Sequence, residues 1–190
     1  GKTTFRHEWY DAYKGGRSKT PGEFKEQMPF IRELINALGV TYYELDNYEA
    51  DDIIGTLAHQ VDKSLFDVVI LTGDRDLTQL ATEDIKVDIT VKGVSEIDSY
   101  TPAFIAEKYD GLTPNQIIDM KGLAGDASDN IPGVTKIGEK TAIKLLKEFG
   151  SVEGIYEQID TLKPSKMKQN LINDKEQAFL SKKLATIEVN

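Results

Sequence analysis

Cysteine is missing from this 190-residue sequence, which excludes disulfides and zinc-thiolate sites and makes a reducing compartment the natural setting. Histidine occurs only twice, a further argument against a zinc centre. No apolar run approaches the ~18 residues of a membrane-spanning helix. The opening Gly1-Lys2-Thr3-Thr4-Phe5-Arg6 holds neither the hydrophobic stretch of a signal peptide nor an acylation motif. We therefore expect a cytoplasmic protein without a membrane partner. The low hydrophobicity that marks disorder is absent too, since apolar residues make up 39% and charged residues 29% of the chain. Such a length fits one domain, or one domain with a small helical appendage, rather than a multidomain machine.

Lysine and arginine number 23 against 32 aspartates and glutamates, and the net charge of −9 speaks against simple neutralisation of a polyanion. The distribution says more than the sum. Lys2, Arg6, Lys14, Arg17, Lys19, Lys25 and Arg32 crowd the first 36 residues, a second basic group runs from Lys136 to Lys147, and the acids gather in three short knots between them. Basic flanks around knots of carboxylate can hold metal ions between protein and phosphodiester.

Residues 1–20 mix aromatic, basic and glycine residues without a sustained apolar period and read as a mobile segment with some helix. From Pro21 to Leu38 the apolar positions Phe24, Met28, Ile31, Leu34, Ile35 and Leu38 recur at the helical period, with Thr20 as cap and Gly39 as stop. Val40 to Leu45 reads as a short strand and Glu49 to Val61 as a helix. Asp67 to Thr72 is a continuous apolar run, the pattern of a strand covered on both faces of a parallel sheet. Leu77 to Leu80 suggests a short helix, and residues 87–91 and 96–100 two more strands. After Thr101-Pro102 the pattern is helical only: about 102–109, 113–123, 139–148, 152–158, 164–172 and 174–186. The fold class is therefore α/β with a parallel-type sheet over residues 1–100, followed by an all-helical part over 101–190.

Glu49-Ala50-Asp51-Asp52 opens a helix, where acids complement the helix dipole, but Glu49 and Asp52 share a face and repel unless a cation lies between them. Gly73-Asp74-Arg75-Asp76 follows the apolar strand, at the strand end where open α/β sheets bind ligands, although a solvated turn reads the same way. Gly125-Asp126-Ala127-Ser128-Asp129-Asn130 alone is an ordinary turn. Together the seven carboxylates, with no His or Cys nearby, make an all-oxygen environment that suits Mg²⁺ or Mn²⁺. Two such ions can activate water and stabilise the leaving oxygen of a phosphodiester. Gly133-Val134-Thr135-Lys136-Ile137-Gly138-Glu139-Lys140-Thr141 is a glycine-bounded hairpin that opens a helix and offers N–H groups and lysines to a phosphate, without base-specific groups. Lys14 and Arg17, beside aromatic residues, suit single-strand contact.

These motifs carry a resemblance. Arg6-His7-Glu8, Tyr13-Lys14-Gly15-Gly16-Arg17, Lys19-Thr20-Pro21, the three carboxylate knots, and Ile131-Pro132-Gly133-Val134 with Ile137-Gly138-Glu139-Lys140-Thr141-Ala142 resemble, in order and end to end, the 5′-nuclease domain of bacterial DNA polymerase I, a branch of the flap endonuclease family. The resemblance implies a PIN-like nuclease core that uses divalent metal to remove nucleotides or flaps from DNA 5′ ends in primer removal and repair. It places Glu49, Asp51, Asp52, Asp74, Asp76, Asp126 and Asp129 on the family's metal-binding acids, and Arg6, Lys14 and Arg17 on catalytic basic positions near the scissile phosphate. It also implies a helical arch around Lys14 and Arg17 and a helix-hairpin-helix over residues 133–142 that holds duplex DNA, often with K⁺.

The family's domain begins with two strands, each ending in a metal-binding Asp, that are not in this sequence, and a polymerase domain of the same polypeptide follows it. We therefore expect a fragment with an incomplete metal site, an open sheet edge prone to self-association, and slow cutting or none when the chain is alone. Two rivals stand beside this reading. A haloacid-dehalogenase-type phosphohydrolase would use Asp74 as nucleophile and Asp76 as general acid, but leaves Glu49–Asp52 and the hairpin without a role. A non-catalytic DNA-binding fragment would keep the hairpin alone.

Overall fold

A computed structural model describes residues 3–18, 20–93 and 95–190. Lys2 and Lys19, counted among the leading basic residues, lie outside the described residues. Helices α1 (Phe5–Trp9), α2 (Gly22–Ala37) and α3 (Ala50–Gln60) lead into strand β1 (Val68–Thr72). A 3₁₀ helix, Arg75–Leu80, connects β1 to β2 (Ile85–Lys92), which turns at Gly93 into β3 (Glu96–Tyr100). The rest is helical: α4 (Pro102–Lys108), α5 (Gln116–Ala124), α6 (Glu139–Phe149), α7 (Val152–Glu157), α8 (Lys166–Asn173) and α9 (Lys175–Ala185), with a second 3₁₀ turn at Ile159–Thr161.

The sheet is mixed rather than parallel throughout. β1 runs parallel to β2, a pairing that the helical crossover after Thr72 permits. β3 runs antiparallel to β2, because the short turn at Gly93 can only fold the chain straight back. Ile85, Val87, Ile89 and Tyr100 bury one face against Leu77, Ile105 and Leu123, so the core continues from the sheet into the helices. α5 lies centrally, packed on α6 and α9.

Four expectations are corrected here. Val40 to Leu45 forms no strand: no neighbouring strand lies beside it among the described residues, and a strand without a ladder has nowhere to send its backbone hydrogen bonds. β1 is covered on one face only, with Ile70 buried but Val69 52% and Leu71 64% exposed, because no described element covers the face that Val69 and Leu71 share. α2 forms where its period predicts, yet none of its residues is buried, and Phe24, Leu34 and Leu38 face solvent. The leading segment is not loose. Tyr13 is 3% exposed, the Lys14 N–H donates to Asp129 O at 2.8 Å, and Asn130 Nδ2 donates to Ala12 O at 2.6 Å, while residues 11–16 form turns rather than a helical arch.

Candidate metal and phosphate site

The three carboxylate knots meet at one end of β1. Asp74 closes the strand and caps the following 3₁₀ helix, its Oδ1 accepting the Asp76 N–H at 3.0 Å. That cap aims Asp76 across at α5, where the Lys121 ammonium lies between Asp76 and Asp126, 2.6 Å from Asp126 Oδ2. Asp126 begins the turn that carries Asp129, and Gly125 and Gly133 bring the two ends of this turn into backbone contact. A Cβ on Gly133 would stand 2.3 Å from Gly125 N, and both glycines have positive φ, so no larger residue fits at either.

The leading segment folds over this turn. Lys14 Nζ lies 2.8 Å from Glu49 Oε1 and 3.6 Å from Asp129 Oδ2, Arg17 pairs with Asp129 Oδ1, and the Tyr13 hydroxyl donates to Glu49 at 3.2 Å. Lys14 holds this position with φ +54, a left-handed conformation uncommon for lysine, and its pairing to Asp129 and Glu49 keeps it there. Burial, with Glu49 and Asp129 beside it, pushes the Tyr13 phenol far above its ordinary value, so it stays a neutral donor. Between this segment and α3 opens a cleft of about 710 Å³, lined among others by Lys14, Arg17, Glu49, Asp51 and Asp74.

Asp51 and Asp74 are the carboxylates of the three knots that line that cleft outside the ion pairs above. Burial, reinforced by Asp74, Glu49 and Asp76, pushes Asp51 up to about 6 against the opposing pull of Lys14. Burial likewise raises Asp76 in spite of Lys121. Asp126 is lowered, because the bonds from Lys121 and Ser128 outweigh its burial. The site's donors are all oxygen, the set that a hard divalent cation takes.

Two of the proposed site residues are locked in the interior. Arg6 is 2% exposed, with Nη1 and Nη2 on Asp52 at 2.8 and 2.7 Å and further bonds to the carbonyls of Leu184 and Thr186. Asp52 also accepts the N–H groups of Glu49 and Glu188. Neither has a free valence for metal or phosphate, because each neutralises the other in the interior. The pair instead fixes the first turn of α3, which presents Glu49 and Asp51. Among the described residues no three acidic side chains are disposed to hold one ion together. Five of the seven carboxylates are held by internal cations: Asp52 by Arg6, Glu49 and Asp129 by Lys14 with Arg17, and Asp76 and Asp126 by Lys121.

Lys121 was missed in the sequence. Its signal was a lysine set within the apolar run Ile117 to Leu123 of a buried helix.

The hairpin takes its place on the helical part. Val134 and Ile137 turn into the core, whereas Lys136, Gly138 and Lys140 are exposed and Thr141 is half-buried. Gly138 caps α6 with open space before its Cα. Ser181, Asp174 and Asn170 bind the backbone of Gly133 and Thr135, which anchors the loop to α8 and α9. For a K⁺ ion the hairpin offers carbonyl oxygens, of which those of Gly133 and Thr135 already accept amide protons from Gln177 and Asn170.

A model of the 5′-3′ exonuclease N-terminal resolvase-like domain matches residues 1–110, and one of the 5′-3′ exonuclease C-terminal SAM fold matches residues 112–190. This chain belongs to the 5′-3′ exonuclease family. It is 63% identical over 188 residues to DNA polymerase I of Streptococcus pneumoniae, covering 99% of this chain but only 21% of that protein. The chain thus spans about a fifth of the curated relative. Among solved structures it resembles the 5′-exonuclease of bacteriophage T5 with bound zinc, with TM-score 0.80 and 26% identity over 99% of this chain and 72% of that one. It also resembles the T5 flap endonuclease in a pseudo-enzyme-product complex with DNA and metal ions, with TM-score 0.78 and 26% identity over 100% of this chain and 71% of that one. The two family matches together cover nearly the whole chain and are to a nuclease family, not to the phosphohydrolase considered above. Among the described residues no helix is long and apolar enough to cross a membrane.

Proposed function

We propose that this chain is the 5′-nuclease part of a bacterial DNA polymerase I, acting with Mg²⁺ or Mn²⁺ on 5′ ends and flaps of DNA in the cytoplasm, at the nucleoid. The observation that carries the reading is the cleft in which Asp51, raised to about 6 by burial and by Asp74, faces Lys14 and Arg17. A cation relieves the like-charge repulsion, and the two basic side chains are the donors that line the same space. Asp51, Asp74, Asp76 and Asp126 are the residues that would hold the ions, which supply an activated water and charge at the leaving oxygen. Lys14 and Arg17 orient the phosphate, and the Arg6–Asp52 pair keeps α3 in position. The hairpin, with Lys136, Lys140 and the open N-terminus of α6, grips a duplex backbone, and K⁺ would sit beside its carbonyls.

The same reading takes residues 1–100 as the nuclease core and 101–190 as the DNA-holding subdomain, joined in the parent polypeptide to a polymerase domain. It includes self-association of this chain through the open edge of β1.

The test is a 5′-labelled flap duplex incubated with excess protein in Mn²⁺ or Mg²⁺, beside a binding assay, with EDTA and Asp74→Asn as controls. Cutting near the junction that needs both the metal and Asp74 supports the proposal. Binding without metal-dependent cutting and without any uptake of Mn²⁺ by the protein identifies the chain as a binding module, and hydrolysis of a small phosphomonoester through a trappable acyl-phosphate on Asp74 identifies the phosphohydrolase.

A further inference from the structure

Lys121 has no part in the nuclease chemistry proposed above, yet its own role rests on that reading, because the acids it holds are the proposed metal ligands. It lies on α5 among Ile117, Met120 and Leu123, all buried, and its own side chain is 14% exposed. Its ammonium bridges carboxylates from two separate elements, Asp76 of the 3₁₀ helix and Asp126 of the turn after α5. Among the described residues it is the one ammonium or guanidinium paired with either of them.

We propose that Lys121 is the built-in counter-cation of the metal-free site, and that a divalent ion binding Asp76 and Asp126 must expel its ammonium from between them. Both cations draw on the same carboxylate oxygens, since Asp126 already gives its Oδ1 to the N–H and hydroxyl of Ser128 and has Oδ2 left for Lys121. Two half-buried carboxylates without a cation would repel each other, which makes an internal ammonium valuable to the fold when no ion is bound. The same occupancy lowers the apparent metal affinity, because the competent state is only part of the ensemble. Lys121 is therefore a positioning residue: it keeps the two acids together and yields them to the ion.

The experiment compares the unaltered protein, Lys121→Met and a control, Lys182→Met, by isothermal titration with Mn²⁺ and by melting with and without Mn²⁺. Lys182 is laid out alike, 2.6 Å from both Asp119 and Glu153, but belongs to the α5–α7–α9 packing and not to the cleft. Both variants should melt lower than the unaltered protein without metal. Lys121→Met alone should bind Mn²⁺ more tightly, on the order of tenfold, and show the larger Mn²⁺-induced rise in melting temperature.

A second measurement needs no variant. Acetylation of Lys121 in the unaltered protein, followed by peptide mass spectrometry, should speed up when Mn²⁺ saturates the site, while Lys182 stays as slow as before. If Lys121→Met does not fold, this labelling decides alone. Equal or weaker Mn²⁺ affinity in Lys121→Met, or a labelling rate at Lys121 unchanged by Mn²⁺, overturns the counter-cation proposal and leaves the nuclease reading standing. Absence of Mn²⁺ binding in both the unaltered protein and Lys121→Met overturns the two together.

Discussion

Arg6 and Asp52 form a bidentate pair in the interior, 46 residues apart in sequence, and the same guanidinium holds the carbonyls of Leu184 and Thr186 at the other end of the chain. One side chain thus ties α1, α3 and the C-terminal segment together beneath the cleft. Removing one partner strands the other charge, so Arg6→Gln should lower stability by about 3–5 kcal/mol, measured by urea denaturation. Asp52 is lowered because the Arg6 bonds and the N–H groups of Glu188 and Glu49 outweigh its burial. A depressed folded-state pKa contributes stability above the ordinary carboxylate range and loses it as pH falls through the depressed value. The gap between the unaltered protein and Asp52→Asn should accordingly be wide at neutral pH and close in acid. A gap that does not change with pH would show that the pair's charge has no part in it.

Asp51 predicts the opposite slope. Its folded value of about 6 lies above its ordinary value of 3.8, so its contribution is unfavourable when pH exceeds about 6 and fades as pH falls toward 3.8. Asp51→Asn should raise the metal-free melting temperature at pH 8, by on the order of 3 kcal/mol at most in stability, with a smaller gain at pH 5. The same change should weaken Mn²⁺ binding. A variant that is less stable at pH 8 than the unaltered protein would mean that Asp51 is compensated in a way its surroundings do not suggest.

The periodic elements and the acidic knots could be read from the residues, whereas the partners of those acids could not. The helices at α2, α3 and α6 follow from apolar spacing and their caps, and β1 from its unbroken apolar run. Asp51, Asp74 and Asp126 reach one end of β1 because each stands at the end of a legible element. Arg6 resists such reading, since its withdrawal depends on carbonyls 178 and 180 residues away. Val40 to Leu45 carries a strand pattern, but pairing is a property of neighbours, and the pattern cannot say whether a neighbour is there. Lys121 and Lys182 fall in helical runs where a lysine normally faces water, and only the packing of α5 reveals the acids they meet.

The hairpin and the leading segment should separate by substrate. Gly138→Val has room to fold, since nothing lies near the added Cβ, but it blocks close approach of a phosphate to the α6 N-terminus. It should weaken binding of all duplex sequences alike, and the affinity of the unaltered protein should fall steeply with salt. Lys14→Ala removes a cation that lines the cleft and should weaken contact with a single-stranded 5′ arm instead. Fluorescence anisotropy on a blunt duplex and on a long 5′ arm checks both. Equal losses on the two ligands in both variants would remove the division of labour.

The open edge of β1 predicts association. β1 pairs only with β2 among the described residues, so its other side presents unpaired N–H and C=O groups, the template by which sheets recruit further strands. Val69 and Leu71 stand exposed on one face of that strand, and Leu57 and Val61 of the α3 region line an apolar groove of about 320 Å³ beside them. A strand added to this edge would gain ladder bonds and cover apolar area at once, each buried side chain contributing about 1.5–3 kcal/mol. The elution volume of the purified chain should therefore shift toward larger species as concentration rises. Leu71→Lys, which places a charge where an apolar contact would form, should hold the chain monomeric and leave its melting temperature nearly unchanged, because Leu71 touches no core. Sedimentation velocity over a hundredfold range of concentration, roughly micromolar to tenths of millimolar, reads the shift directly at an association free energy near −8 to −5 kcal/mol. A concentration-independent monomer in the unaltered chain, or association that survives Leu71→Lys, would place the contact elsewhere and leave β1 as an edge that water alone satisfies.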